Sequence, residues 1–262
     1  MIPHQMDRIL MWVAAAHLFM GMACMLALLM PATPILGVHP ALKPMKFGLS
    51  IGIFLASMAL IVPALSIPAP LRHGVVWALS LTMIVEMAAI LIQAIRGTTS
   101  HFNLQGVFNT AVWQVMAAAI GLATLGAVGI ALVATCGPLM AADGTAMHPL
   151  VTAGWRAGLW LSLLAAISGF GMGGRLRHSV GGDDGGPGLP LLNWSTSHGD
   201  LRVSHFLALH ALQILPLVSI WLAWSPLANV MRWTVLGLAV GIYAIVTVWT
   251  LLQAIAARPI WS

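Results

Sequence analysis

Charge is the scarcest thing in this sequence. Asp, Glu, Lys and Arg make up only 6% of its 262 residues, while 60% are hydrophobic. A soluble domain is about a quarter charged, so a water-exposed globular surface is excluded. The net charge is +5 from eleven Lys and Arg. No run of them forms the basic stripe that nucleic acid requires, so no nucleic-acid partner is expected. Two cysteines, Cys24 and Cys136, are too few for a disulfide framework. Both are expected to be free. No polar segment is long enough to build its own core, so one domain over 1–262 is expected.

Long apolar runs are present instead. Hydropathy marks seven of them, at about 9–30, 47–66, 74–95, 107–134, 149–172, 201–224 and 230–256. Clusters of Pro and Gly separate them, among them "PALSIPAP", "CGPLMAADG" and "GGDDGGPGLP". The first run is longer than a signal-peptide core, and no small-residue cleavage site follows it. It is read as the first membrane helix. The fold class expected is all-α: a polytopic integral membrane protein with about seven transmembrane helices. The segment 174–199 reads as a flexible loop, with Asp183 and Asp184 in solvent.

Orientation follows from the cations near the span ends. Lys43, Lys46, Arg96, Arg175, Arg177, Arg202 and Arg258 fall on one side. Arg8, Arg72 and Arg232 fall on the other, and Arg156 lies within a span. This places the N-terminus outside and the C-terminus in the cytoplasm, in a plasma (inner) membrane. Trp12, Trp77, Trp155, Trp221, Trp224 and Trp233 gather at the outer boundary as an aromatic belt. Gly48, Gly52 and Ala56 recur four apart, which marks a face for close helix packing.

Polar groups inside the spans are the functional signal, because an ionisable side chain there costs about 2–3 kcal/mol or more. Glu86 is the only acid deep in any span. The sixth span carries Arg202, His205, His210 and Gln213 on one arc of about 140°. Glu86 and His210 lie at similar depth, each about 15 Å in, and Gln114 at about 10 Å. Glu86, His205, His210, Gln114 and Gln213 are expected to form one buried cluster, and Glu86, His205, His210 and Arg202 are the candidate catalytic residues. Pro216 is expected to kink the sixth span. Asp200 is expected to cap its start.

Three functions remain open on these residues. The first is redox chemistry with haem b or a transition metal. His17, His101, His205 and His210 are its candidate cofactor ligands, and His205 and His210 its candidate metal ligands. The second is a proton-linked carrier or channel, with Glu86 paired to His. The third is an enzyme on lipid head groups. It draws on Lys43, Lys46, Arg96, His101 and Asn103 at the cytoplasmic boundary, and Gln114 and Gln213 join the substrate-contacting candidates. A seven-span retinal protein needs a lysine in its last helix, and the last span here has none. Membrane lipids are expected partners, together with other membrane subunits or further copies of the chain.

Overall fold

The computed structural model describes residues 6–260, so residues 1–5 and 261–262 of the expected domain lie outside the described residues. The helices are α1 (Arg8–Ala27), α2 (Leu42–Ile61), α3 (Ala69–Ile95), α4 (Val107–Cys136), α5 (Pro149–Ser162), α6 (Leu164–Arg175), α7 (Leu201–Trp224) and α8 (Asn229–Ile255). A 3₁₀ turn, Val62–Ala64, extends α2. Leu163 divides the fifth apolar run into α5 and α6, which together make one span. Among the described residues, seven helical spans are thus long and apolar enough to cross a membrane.

Local chemistry sets where the helices begin. Asp7 accepts the Leu10 amide at 3.0 Å to start α1. Prolines stand at the first positions of α3 and α5, where a missing N–H costs nothing. α2 starts at Leu42, five residues before the expected boundary at 47. Pro44 in its first turn is tolerated for the same reason. Lys43 and Lys46 therefore ride on the helix rather than in the loop before it. α7 runs unbroken through Pro216.

Two close approaches hold the bundle. A Cβ on Gly48 would lie 2.7 Å from the backbone nitrogen of Gly21, and one on Gly21 would lie 2.8 Å from that of Leu49. The bare glycines let α1 and α2 touch backbone to backbone. Gly154 and Gly158 do the same for α5 against Ser219, Ala211 and Pro216 of α7. α3 pairs with α4, and α2 bridges to α3 and α7. Leu10, Leu55, Met58, Leu79 and Leu159 are fully buried between these helices. The outer faces are apolar: Phe19, Trp12 and Trp224 are each more than 70% exposed. Trp155 departs from the expected aromatic belt, being only 4% exposed, because it sits on the face of α5 that packs inward.

The two ends of the bundle differ. At one end, arginines close helix C-termini. Arg156 donates to the Ala134 and Gly137 carbonyls of α4 at 2.7 and 3.0 Å. Arg232 donates to Leu227 and Ser225 beyond α7, each at 2.8 Å. Arg72 reaches Leu65 and Ile67 beyond α2. A cation against orphan carbonyls also meets the negative end of the helix dipole. At the other end, called the Lys43 end below, stand the starts of α2, α4 and α7. Segment 174–199 covers part of it. An antiparallel ladder, β1 (Ser179–Val180) with β2 (Gly199–Asp200), ties its two ends together. Gly199 packs on the Ala254 backbone of α8.

Gly48→Leu should lower stability by about 1–3 kcal/mol or more, since the Gly21 backbone cannot yield. Gly129→Ala, with open space around it, should not. Thermal denaturation of the detergent-solubilised protein, followed by size-exclusion fluorescence, compares the two.

Candidate functional site

Lys43, in the first turn of α2, turns toward the α3–α4 connection. Its Nζ lies 3.1 Å from His101 Nδ1, and Ser100 Oγ lies 3.2 Å from the same nitrogen. With the Lys43 ammonium donating, Nδ1 accepts and the ring proton sits on Nε2. Phe47, Phe102 and Trp113 surround the imidazole, with ring centres 5.5, 5.8 and 5.6 Å away. Burial, reinforced by Lys43, His178 and His205, holds His101 well below its ordinary pKa. It is a neutral ring beside a cation.

The covering segment adds a second imidazole. His178 Nδ1 lies 2.8 Å from Asp184 Oδ2. The same carboxylate accepts the amides of His178 and Ser179 at 3.0 and 2.9 Å. Burial pushes Asp184 up, but these bonds outweigh it and hold the carboxyl well below the usual range. Burial also lowers His178, against the pull of Asp184. The expectation of a solvated Asp184 is thereby corrected, because three donors within the protein replace water. Asp183 is exposed and pairs with Arg177 at 3.3 Å. His178 stands edge-on to Phe102 at 5.0 Å, which brings it to the His101 group.

Arg202 has a supporting part. Its guanidinium grips Asp200 at 2.6 and 2.9 Å and donates to the Asn193 carbonyl. Asp200 also caps α7 through the Arg202 amide at 2.9 Å and accepts the Ser195 amide at 2.8 Å. The pair closes the segment onto the helix start. Lys46 Nζ donates to the Leu192 carbonyl at 3.0 Å from the opposite side.

Deeper in, the sequence-derived cluster comes apart: His210 and Gln213 stay together, while His205, Glu86 and Gln114 each stand elsewhere. His210 Nδ1 lies 3.2 Å from Gln213 Oε1, and Gln213 Nε2 donates to Ser57 Oγ of α2 at 2.9 Å. Ser57 passes the chain to the Ile53 carbonyl at 2.9 Å. His205 instead faces α6, with Nδ1 2.9 Å from the Ala165 carbonyl and 3.3 Å from Ser168 Oγ. Glu86 joins neither histidine by a hydrogen bond. It is 4% exposed, and its Oε2 is buried with no hydrogen-bond partner among the described residues. The cation within its electrostatic reach is Lys43, which makes no direct ion pair with it.

The other candidates are placed elsewhere. Gln114 is exposed on the outer face of α4 and makes no hydrogen bond among the described residues. Arg96 donates to Gln93 Oε1 at 3.1 Å and lies over Phe108, tying the α3–α4 hairpin. Asn103 is buried and staples its own loop through Thr98 Oγ1 and the Thr99 carbonyl. His17 bridges α1 to α3, with Nδ1 2.7 Å from the Val13 carbonyl and Nε2 3.2 Å from that of Met83. Both of its nitrogens lie against backbone carbonyls, so its place here is a bridge between α1 and α3. Cys24 and Cys136 are free.

Sequence reasoning missed the Lys43–His101 contact, the His178–Asp184 pair and Ser57. The first two were each visible only as single residues near the boundary, and Ser57 carried no signal. An open surface recess of about 500 Å³ lies at the opposite end, beside Arg72. It holds no carboxylate or imidazole, so the chemistry concentrates at the Lys43 end. Comparison with protein-family models, with curated proteins and with solved structures finds no match to this chain.

His101 and His178 both have folded pKa values below the ordinary 6.5. As pH falls through that value, the unfolded chain takes up protons that the folded one refuses. Stability is therefore full above it and declines below it, by at most about 1.4 kcal/mol per pH unit for each histidine. The apparent Tm should drop between about pH 7.5 and about pH 5.5. His101→Gln should flatten that slope, and an unchanged slope would contradict the assignment.

Proposed function

We propose that this chain is a proton-linked carrier of a small solute, lying in a plasma (inner) membrane. Its N-terminus is outside, and its C-terminus and Lys43 end are cytoplasmic. Glu86 carries the reading. Hydrocarbon accepts a carboxyl group only if it bears a proton or faces a cation. Among the described residues Glu86 Oε2 has no hydrogen-bond partner, and Lys43, the cation within its electrostatic reach, makes no ion pair with it. Such a group is stable in two states, protonated and alone or ionised and facing Lys43. Switching between them is what a proton-coupled site requires.

Further observations support the reading. Neutral His101, with His178 held by Asp184, stands between the covering segment and Lys43, where a proton relay from the cytoplasm would run. The orientation rests on the cation excess at the Lys43 end. Surrounding lipids, further copies of the chain or other membrane subunits would complete the assembly.

A second reading keeps redox chemistry. His205 and His210 each commit Nδ1 to an oxygen acceptor, and Nε2 of neither is hydrogen-bonded among the described residues. This is the arrangement that histidine ligands of a haem or a transition metal use. The two lie on different sides of α7, so each would need its own partner ligand. A Soret band or stoichiometric metal in the purified protein favours this reading.

In vesicles carrying an imposed pH gradient, the wild type should take up protons when a panel of small solutes is supplied outside. Glu86→Gln should abolish that uptake while eluting as the same species in gel filtration. Undiminished uptake by Glu86→Gln would sink the carrier proposal.

A further inference from the structure

We infer that the two halves of the bundle swing apart at the Lys43 end about the joint between α4 and α5, and that the tip of the covering segment, residues 192–194, is the strap that holds them closed. The inference rests on the carrier reading for its purpose and names the part of the molecule that moves.

The halves follow from the close helix contacts. α1 is locked to α2 at Gly21, Gly48 and Gly52, and α5 to α7 at Gly154 and Gly158. α3 joins the first pair and carries α4, while α6 and α8 pack on α7. Between the halves, α2 meets α7 over a far shorter stretch than either locked pair.

The joint between the halves differs at its two ends. Away from Lys43, one apolar core runs through both. Val151, Trp155 and Leu159 of α5 are buried in one cluster with Met58 of α2 and Ile130 and Ala134 of α4. Arg156 adds its two bonds to the end of α4, and Trp160 Nε1 donates to Thr135 Oγ1 at 2.9 Å. At the Lys43 end each half has a core of its own. Cys24, Leu42 and Met45 cluster in the first half, and Met172, Leu201 and Ala254 in the second. Half-buried Phe102 touches the edge of the second core from the first half.

The facing stripes of α2 and α7 show the same asymmetry. Lys46, Ile53 and Ser57 share one face of α2, and Phe206, His210 and Gln213 share one face of α7. The Gln213–Ser57 hydrogen bond joins the stripes about 20 Å from the Lys43 end. Nearer that end Ile53 and Phe206 are 39% and 42% exposed, so the helices are not packed on each other there. Three consecutive residues of the covering segment span the gap instead. Lys46 of α2 donates to the Leu192 carbonyl at 3.0 Å, and Arg202 of α7 donates to the Asn193 carbonyl. Trp194 stands edge-on to Phe206 of α7, with ring centres 5.5 Å apart. An exposed ammonium–carbonyl bond holds far less strongly than a buried apolar core. The halves therefore part at the strap and stay joined at Arg156 and Trp160. Parting breaks the Lys46–Leu192 and Gln213–Ser57 bonds and admits water to Ser57, Gln213 and His210. The groups uncovered are a hydroxyl, an amide and an imidazole, which a hydrogen-bonding solute would meet.

Thiol labelling of the full chain in neutral detergent tests this, with a charged, water-soluble methanethiosulfonate as the probe. The two native cysteines are first replaced by Cys24→Ala and Cys136→Ser. Ser57→Cys and Ala134→Cys then place single thiols at buried positions near opposite ends of the joint. Ser57→Cys should react slowly with the strap intact. Adding Lys46→Met should speed it about three- to tenfold, the effect of losing one exposed hydrogen bond. Ala134→Cys should stay protected in both backgrounds. The weaker Gln213 contact that Ser57→Cys leaves is present in both arms and cancels. Should Lys46→Met fail to fold, Trp194→Ala frees the tip from α7 and should give the same acceleration. An unchanged Ser57→Cys rate overturns the inference. So does an equal acceleration of Ala134→Cys, which would mean general loosening. Proton uptake into vesicles with no strap effect overturns this inference alone. A strap effect without proton uptake overturns only the carrier reading.

Discussion

Hydrocarbon offers no hydrogen bonds, so each polar atom in a span must find its partner within the protein. Most of this chain obeys that constraint closely. Hydroxyls of Ser57, Thr82, Thr135 and Thr247 bond carbonyls of their own helix one turn back. Arg156 and Arg232 settle on helix-end carbonyls. His17 places both ring nitrogens against carbonyls on two helices. These side chains bind the bundle together, and their chemistry is used up in doing so.

Against that background the exceptions stand out. Among the described residues, the buried side-chain atoms without partners are Arg72 Nε, Ser80 Oγ, Gln253 Oε1 and Glu86 Oε2. The first three belong to groups whose charge does not change near neutral pH. Only Glu86 can remove its penalty by taking a proton. The cation that could answer it, Lys43, is turned to a neutral imidazole in an aromatic enclosure. The proposed function rests on this buried carboxyl group that has no partner in contact.

The covering segment shows how few contacts order a glycine-rich chain. Asp184 and Asp200 each gather backbone amides together with one side-chain partner. A carboxylate collecting several donors gains charge-assisted bonds that a solvated one lacks. The segment becomes a lid resting on Lys46, α7 and α8 rather than a tether. Its His178 is delivered to the edge of the His101 enclosure.

Much of the architecture was legible without coordinates. The seven spans, the cap at Asp200 and the glycine face of α2 follow from hydrophobic run length, capping chemistry and four-residue spacing. All of these are local properties of the chain. Singling out Glu86, Lys43 and His101 was also within reach, because hydrocarbon makes each of them costly. Which costly groups meet was not. Depth along the helices placed Glu86 level with His210, but rotation and tilt send His210 to Gln213 and Ser57 and leave Glu86 Oε2 without a hydrogen-bond partner among the described residues. Lys43 and His101 are 58 positions apart and Gln213 and Ser57 are 156 apart. No local pattern encodes such pairings, because only the packing of whole helices against one another decides which faces coincide.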